Sequence, residues 1–210
     1  MLVSDVFSYL DELAPFSYSM DFDNSGLLIG DPSQSVKKIL VALDCTKSVV
    51  SKAREMGADL IVTHHPVIFD PLKNVMVGSV PHQLICAGIS IICAHTNLDL
   101  ARGGVNDQLA RRLELKCLEG LSPISCTDRN GNTVTEYLGR ISFLPEPLEP
   151  KQFACFVKER LGGNIRYVSG NRPVHRVAVC GGSGADCLAD AIHVGADALV
   201  TSEIKHHIFL

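Results

Sequence analysis

The sequence predicts an α/β protein with two related βαβ-containing lobes and a small α+β subdomain inserted between them. Three observations lead to this class. Short apolar runs alternate with amphipathic segments of helical period, one βαβ pattern recurs near the C-terminal end, and the stretch between the two copies has a different character. We predict the first lobe over residues 1–119, the insert over 120–172 and the second lobe over 173–210.

The first lobe opens with a predicted helix at 3–13, in which apolar residues recur at helical spacing. Asp23-Asn24-Ser25-Gly26 has the composition of a turn, and we interpret it as a plain turn before a short strand. Thr46 is a candidate N-cap for a helix at 49–56, and Gly57 is a candidate C-terminal stop. The later elements alternate between strand and helix, in the order strand 39–44, helix 49–56, strand 60–62, helix 84–87, strand 89–94 and a helix that ends at 113.

The insert combines a hairpin with a helix. Asp128-Arg129-Asn130-Gly131-Asn132 is typical of a hairpin turn between two alternating segments. Three prolines at 145, 147 and 150 predict a loop, which a helix at 153–161 and a strand at 165–168 follow. This mixture predicts an α+β subdomain.

An internal repeat links the two lobes. Residues 41–44 and 57–59 match residues 179–182 and 195–197 at one constant offset, without a gap. At the same offset the pair His64-His65 aligns with Ser202-Glu203. We interpret this as one βαβ unit used twice, with chance similarity between two such units as the alternative.

Composition places the chain among ordinary globular proteins and argues against two classes of partner. The 210 residues are 46% hydrophobic and 20% charged. A net charge of −4 argues against nucleic-acid binding, and no apolar run is long enough to span a membrane. The N-terminal residues are acidic where a secretory signal needs positive charge, so we expect a cytoplasmic protein. The eight cysteines occur singly, without a Cys-x-x-Cys pair, which favours reduced structural thiols.

The pair His64-His65 follows the buried strand at 60–62, and Pro66 then stops the strand. In open α/β sheets, ligands bind outside the carboxyl ends of the strands, and neutral imidazole is a common ligand for zinc, iron and manganese. The pair therefore predicts a metal site. The alternative is that one histidine is a cap or a hydrogen-bonded core residue.

Other strand ends carry further groups that could bind metal. They are His95 with Asp99 after strand 89–94, Glu203 with His206 and His207 after the repeat strand, and Asp44 as the last residue of strand 39–44. Several strand ends that carry histidines and carboxylates are more typical of a metal site than of isolated structural histidines. His95 could instead hydrogen-bond a ligand carboxylate, and we expect His82, His175 and His193 to face solvent.

A glycine-rich segment, Gly181-Gly182-Ser183-Gly184, follows a predicted strand. Its backbone amides could bind a phosphate or a carboxylate, or they could form a tight turn. It lacks the Lys-Ser/Thr of a P-loop and the spacing of a dinucleotide-binding motif, so we predict no organic cofactor.

These motifs together resemble the Nif-three-like dinuclear-metal family, whose members carry the name GTP cyclohydrolase I type 2 homologues. The segments that carry the resemblance are spread over nearly the whole chain: 22–27, 63–66, 94–99, 103–106, 181–184 and 201–207. The resemblance implies an α/β fold with two related lobes. It also implies a toroidal homohexamer with metal pairs facing an internal cavity, and His64, His65 and Asp99 as metal ligands.

The resemblance also implies further metal ligands in a late His-x-x-x-Glu pair. The chain ends at Leu210, so we expect it to lack the family's C-terminal segment and the second lobe to be incomplete. The implied cofactor is a divalent metal ion such as zinc, iron or manganese, with up to two ions per subunit. One ion held by His64, His65 and Asp99 is the alternative.

The functional hypothesis is a metal-dependent hydrolase of a small anionic or nucleotide-like molecule. Metal at His64, His65 and Asp99 would activate water, with His95 or Glu203 as the proton carrier. The cyclohydrolase activity is implied by the resemblance alone. The alternatives are a non-enzymatic metal-binding or metal-delivery protein and an inactive assembly component.

Overall fold

The computed structural model describes residues 1–209, and its mixed α/β architecture confirms the predicted fold class. These residues form two compact units. The first unit contains Met1–Ala101 and Thr127–Asn132, and the second contains Arg102–Cys126 and the chain from Thr133 onwards. Each unit is built on a four-stranded sheet. None of the helices within residues 1–209 has the length and apolar character that crossing a membrane requires.

The elements of the first unit are, in chain order, α1 (Val3–Leu13), β1 (Gly26–Ile29), β2 (Ile39–Ala42), α2 (Lys47–Met56), β3 (Leu60–Thr63), α3 (Val80–Ala87), β4 (Ser90–Cys93) and α4 (Thr96–Leu100). The strand order is β1-β4-β3-β2. Strands β2, β3 and β4 run parallel, and β1 is antiparallel to β4. The carboxyl ends of the three parallel strands therefore lie along one edge of the sheet.

Local signals set the boundaries of α2 as predicted. The Thr46 hydroxyl accepts a hydrogen bond from the backbone N–H of Val49 at 3.3 Å, which satisfies one free donor at the helix N-terminus. Gly57 ends the helix in the left-handed region, with a φ of 63° that side chains disfavour. Both caps directly flank the helix, so the sequence next to the helix was enough to predict them.

The central strands are buried on both faces. Ile61 and Ile91 pack on one face against α2 and α3, whereas Leu60 and Ile92 pack on the other face against α1. All four side chains have 0% exposure. Burial on both faces explains why β3 and β4 are continuous apolar runs instead of alternating ones.

The second unit carries the elements α5 (Val105–Arg112), β5 (Lys116–Thr127), β6 (Thr133–Leu148), α6 (Pro150–Leu161), β7 (Val174–Ser183), α7 (Leu188–His193), β8 (Ala198–Glu203) and α8 (His206–Phe209). Its sheet has the order β5-β6-β7-β8, with β6 antiparallel and β8 parallel to β7. Its core is formed by apolar residues of β7 such as Val177 and Val179 with Leu113, Leu144 and Phe153.

The strand pairing supports the repeat. In the first unit, Val41 of β2 pairs in parallel with Val62 of β3. In the second unit, Val179 of β7 pairs in parallel with Val200 of β8, and each partner lies 138 residues after its counterpart. Two βαβ units related by chance have no reason to keep the same register.

Two predicted elements of the insert were wrong. Residues 165–168 form no strand, and the predicted proline loop lies partly within β6, which continues through Pro145 and Pro147 to Leu148. The β6–β7 pairing is irregular between Phe143 and Leu148, so the ladder tolerates residues that lack a backbone N–H at this point. The predicted segments 1–119, 120–172 and 173–210 do not coincide with the two units, because β6 lies inside the predicted insert and pairs with β7.

Position 139 of β6 requires glycine for two reasons, namely its backbone conformation and the lack of space for a side chain. Its φ is +75°, and an added Cβ would lie 2.7 Å from the carbonyl oxygen of Val179 on β7. We expect Gly139→Ala to lower the free energy of unfolding by about 2–4 kcal/mol. Gly131→Ala is the matched control, because Gly131 also has a positive φ (+83°) but has no atom within 4 Å of the added Cβ. Urea denaturation that gave equal losses for both variants would contradict the steric contribution.

Candidate metal centre

The candidate site lies at the carboxyl ends of β3 and β4. Thr63 and Cys93 are register partners at the ends of these two parallel strands. The chain continues into His64 and His65 after β3, and through Ala94 into His95 after β4. Parallel pairing thus brings His95 next to the pair His64-His65, which ends 30 residues earlier in the sequence.

The three imidazole rings form a compact group. Their centroids are 5.0 Å apart for His64 and His65, 5.1 Å for His64 and His95, and 5.7 Å for His65 and His95. One nitrogen from each ring can be chosen so that the three nitrogens lie within 4.8 Å of one another. Atoms at this separation can ligate a common ion after small side-chain rotations.

Each ring is oriented by an acceptor at Nδ1. His64 Nδ1 lies 2.9 Å from the carbonyl oxygen of Ala94, which can only accept, so Nδ1 is the donor. His65 Nδ1 lies 2.7 Å from Asp44 Oδ1, and His95 Nδ1 lies 2.8 Å from Asp23 Oδ1. When Nδ1 carries the proton, the lone pair is at Nε2. Histidines that bind metals are typically held in this way, with the second nitrogen donating to a carboxylate or a carbonyl.

Asp99 adds a carboxylate to the group. Its Oδ1 lies 3.6 Å from His64 Nε2, and its side chain is 15% exposed. Asp99 lies one helical turn after His95, and its backbone N–H donates to the His95 carbonyl at 3.1 Å. Burial raises the pKa of Asp99 to about 6, although the nearby His95 opposes this shift.

The electrostatics of the histidines differ. Burial lowers the pKa of His64, which favours the neutral ligand form. The hydrogen bond to Asp23 raises the pKa of His95, although burial of the ring opposes this. His95 therefore accepts a proton more readily than an isolated imidazole does.

Asp23 supports the site, and the interpretation of residues 23–26 as a plain turn missed it. Its side chain is 0% exposed and accepts from His95 Nδ1, from the Thr96 hydroxyl at 2.5 Å and from the Ser25 hydroxyl at 2.7 Å. Burial alone would raise the pKa of Asp23, but these hydrogen bonds hold it well below its ordinary value. Residues 22–27 were one of the segments that carried the family resemblance, and this was the available signal.

The candidates of the second unit lie at the end of its own sheet. Glu203 is the last residue of β8 and is exposed, and His206 and His207 are exposed at the start of α8. The role of Glu203 as a proton carrier stays a prediction. Of the other histidines, His193 is exposed as expected, whereas His82 and His175 are half-buried, beside Cys86 and Phe143 respectively.

The glycine-rich segment is the end of β7, with Gly181 to Ser183 in the strand and Gly184 directly after it. The Gly181 N–H donates to Asn106 Oδ1 at 2.8 Å, and the Gly184 N–H donates to the Thr201 hydroxyl at 2.9 Å. An added Cβ on Gly184 would lie 2.6 Å from Thr201 Oγ1. Two of the four amides of the segment thus already have internal acceptors.

Comparison with known proteins then decides the family. A family model described as Duf34/NIF3 (NGG1p interacting factor 3) matches residues 1–210. The chain belongs to the Duf34/NIF3 family. A GTP cyclohydrolase 1 type 2 homolog of Clostridium perfringens is 33% identical over 213 aligned positions, covering 99% of this chain and 79% of the relative. One of Streptomyces coelicolor is 37% identical, covering 98% and 73%.

Solved structures of Duf34/NIF3 relatives have the same fold. A Bacillus cereus protein related to NIF3 superimposes with a TM-score of 0.90 at 25% identity, covering 99% of this chain and 84% of that one. A Staphylococcus aureus hypothetical protein also gives a TM-score of 0.90, at 30% identity, covering 99% and 81%. The resemblance stated from the sequence motifs is therefore confirmed.

Asp99→Asn tests the electrostatics of the candidate centre in this Duf34/NIF3 protein. Because the folded state raises the pKa of Asp99 from 3.8 to about 6, an ionised Asp99 destabilises the metal-free fold above pH 6 and not below pH 4. We expect the metal-free variant to be more stable than the wild type by about 1–3 kcal/mol at pH 7.5, and to lose this advantage at pH 4. Urea denaturation at both pH values measures the free energy of unfolding of the variant and of the wild type.

Asp70→Asn, which neutralises an exposed carboxylate, is the control. An advantage that did not depend on pH would contradict the assignment.

Proposed function

We propose that this protein is a cytoplasmic, metal-dependent hydrolase of a small anionic or nucleotide-like substrate. One observation carries the proposal: three imidazoles converge, each with Nδ1 held by an acceptor and Nε2 left available. The relatives' name, GTP cyclohydrolase 1 type 2 homolog, favours hydrolytic chemistry over the other roles of metal sites.

The side chains fit a divalent transition-metal ion. His64, His65 and Asp99 are the proposed ligands, and together they offer two neutral imidazole nitrogens and one carboxylate oxygen. Such mixed nitrogen and oxygen sets suit zinc, iron and manganese. Burial supports the set, because the His64 and Asp99 side chains are only 18% and 15% exposed and a buried carboxylate is stabilised by a nearby cation. When bound, the ion would polarise a substrate oxygen and lower the pKa of water, supplying a nucleophile near neutral pH.

His95 is the proposed proton carrier. Its Nδ1 is held by the buried Asp23 carboxylate, which fixes the ring orientation and stabilises the imidazolium that forms when Nε2 accepts a proton. His95→Gln should therefore retain metal and lose about 10²–10⁴-fold in kcat. Loss of metal from this variant would make His95 a ligand instead. Glu203→Gln tests the second candidate in the same assay, and we expect this substitution of an exposed residue to leave the fold intact.

The experiment measures metal content and turnover in one preparation. The purified protein is loaded with Zn²⁺, Mn²⁺ or Fe²⁺, analysed for metal per chain, and incubated with GTP and a panel of nucleotides and small phosphate esters. Turnover that is lost in His65→Ala and kept in His193→Ala, an exposed histidine on α7, supports the proposal. GTP turnover no faster than in metal-free buffer rejects the cyclohydrolase activity. Bound metal with no turnover of any compound favours the non-enzymatic alternative.

The proposal extends to the number of ions and to assembly. About two metals per chain would support a dinuclear centre, and one would support a single ion at His64, His65 and Asp99. We also propose a homohexamer, which rests on the family resemblance. Light scattering should then give a mass near six times the 22.7 kDa of one chain, and a monomeric mass would reject it.

A further inference from the structure

Two aromatic rings stand exposed together beside the candidate metal centre. Phe22 is 63% exposed and Phe69 is 46% exposed, and their ring centroids are 6.4 Å apart. Phenylalanine rings normally bury large apolar areas, so two adjacent exposed rings are more informative than a single one. Their exposure suits a surface that binds a ligand.

The backbone ties both rings to the centre. Phe22 directly precedes Asp23, whose carboxylate holds His95. Phe69 lies four residues after His65, on the segment that leaves the strand end. The Asn24 side-chain amide donates to the carbonyl oxygen of Ile68 at 2.6 Å, which joins the segment that carries Phe22 to the segment that carries Phe69. The two rings are thus presented by two segments that a hydrogen bond joins, and the first of these also carries Asp23.

We propose that Phe22 and Phe69 form a ring-binding surface that takes a planar heteroaromatic ring of the substrate, while an anionic or polar group of the same molecule reaches the histidine cluster. The inference rests on the proposed function and narrows its substrate class. Ligand sites usually combine an apolar wall with a few convergent polar groups, and here the two rings supply the wall. Aromatic side chains stack on any nucleic-acid base, because every base has a π-face.

The test compares the binding of two probes, of which only one carries a planar base. GMP and ribose 5-phosphate share a phosphorylated ribose, but only GMP has a planar base. We expect calorimetric titration of the metal-loaded protein to give about 5- to 150-fold tighter binding of GMP, the range that one stacked base provides. Phe22→Leu should remove most of this preference, and Phe22→Tyr should keep it.

Controls separate this inference from the proposed function. Phe22 is exposed, so neither substitution at this position should alter folding, and metal content should stay unchanged in both. Phe143→Leu removes a ring that is similarly exposed, at 50%, on β6 of the second unit, and should leave the preference intact. Equal binding of the two probes, or binding of neither, by protein that holds metal would overturn the inference alone. A GMP preference in protein that holds no metal would overturn the proposed function and support the ring-binding surface.

Discussion

His64→Ala is expected to weaken the binding of divalent metal ions by about 100-fold or more. The His64 ring is only 18% exposed, its Nδ1 is held by the Ala94 carbonyl oxygen, and its Nε2 is 3.6 Å from Asp99 Oδ1. Substitution of residues that merely orient ligands already costs about 10–100-fold in metal affinity, so the loss of a ligand should cost at least as much. The alanine also leaves Asp99 buried beside an empty volume.

Competition with a chromogenic chelator measures this affinity, and elemental analysis measures the metal retained per chain. His193→Ala is the matched control, because it removes one imidazole from an exposed helix position in the second unit. We expect it to bind metal as the wild type does. Equal affinities for the two variants would mean that metal binds elsewhere, and the candidate centre would then be a set of structural hydrogen bonds.

Asp23→Asn is expected to lower the free energy of unfolding by about 2–4 kcal/mol at pH 7. The carboxylate is completely buried and accepts from His95, Ser25 and Thr96. An asparagine of the same shape places an NH₂ group where one oxygen accepted, so at least one of these donors faces another donor. His95 also loses the anion that orients it.

The penalty of this substitution should depend on pH in a defined direction. The folded state holds the pKa of Asp23 well below its ordinary value of 3.8, so the ionised carboxylate stabilises the fold above pH 4. This stabilisation is lost as the pH falls below 4, and the difference between wild type and variant should shrink there. Asp44→Asn is the control, because Asp44 also binds a histidine but is 55% exposed, and should cost about 1 kcal/mol or less. Equal costs for the two variants at pH 7 would contradict the role of burial.

The confirmed predictions concern features that depend on residues close together in the sequence. The helix at 3–13 was predicted with the observed bounds, and the caps of α2 were identified, because periodicity and capping act within a few residues. The register shared by the two βαβ units was visible as a constant offset, because strand pairing follows the pattern of apolar residues. By contrast, the strand predicted at 165–168 is absent and β6 runs through two prolines, since neighbouring strands decide whether an apolar run is paired.

The amino-acid sequence alone determined the α/β class, the repeated βαβ unit and the position of His64 and His65 at a strand end, since these follow from spacing within short segments or from matching two such segments. Only the tertiary structure decided which distant side chains meet. The contact between Asp23 and His95 joins residues 72 positions apart, and that between His65 and Asp44 joins residues 21 positions apart. Local patterns carry no information on such pairs, because the antiparallel pairing of β1 with β4 and the parallel pairing of β2 with β3 create the contacts. The orientation of the three imidazoles is therefore a property of the folded sheet.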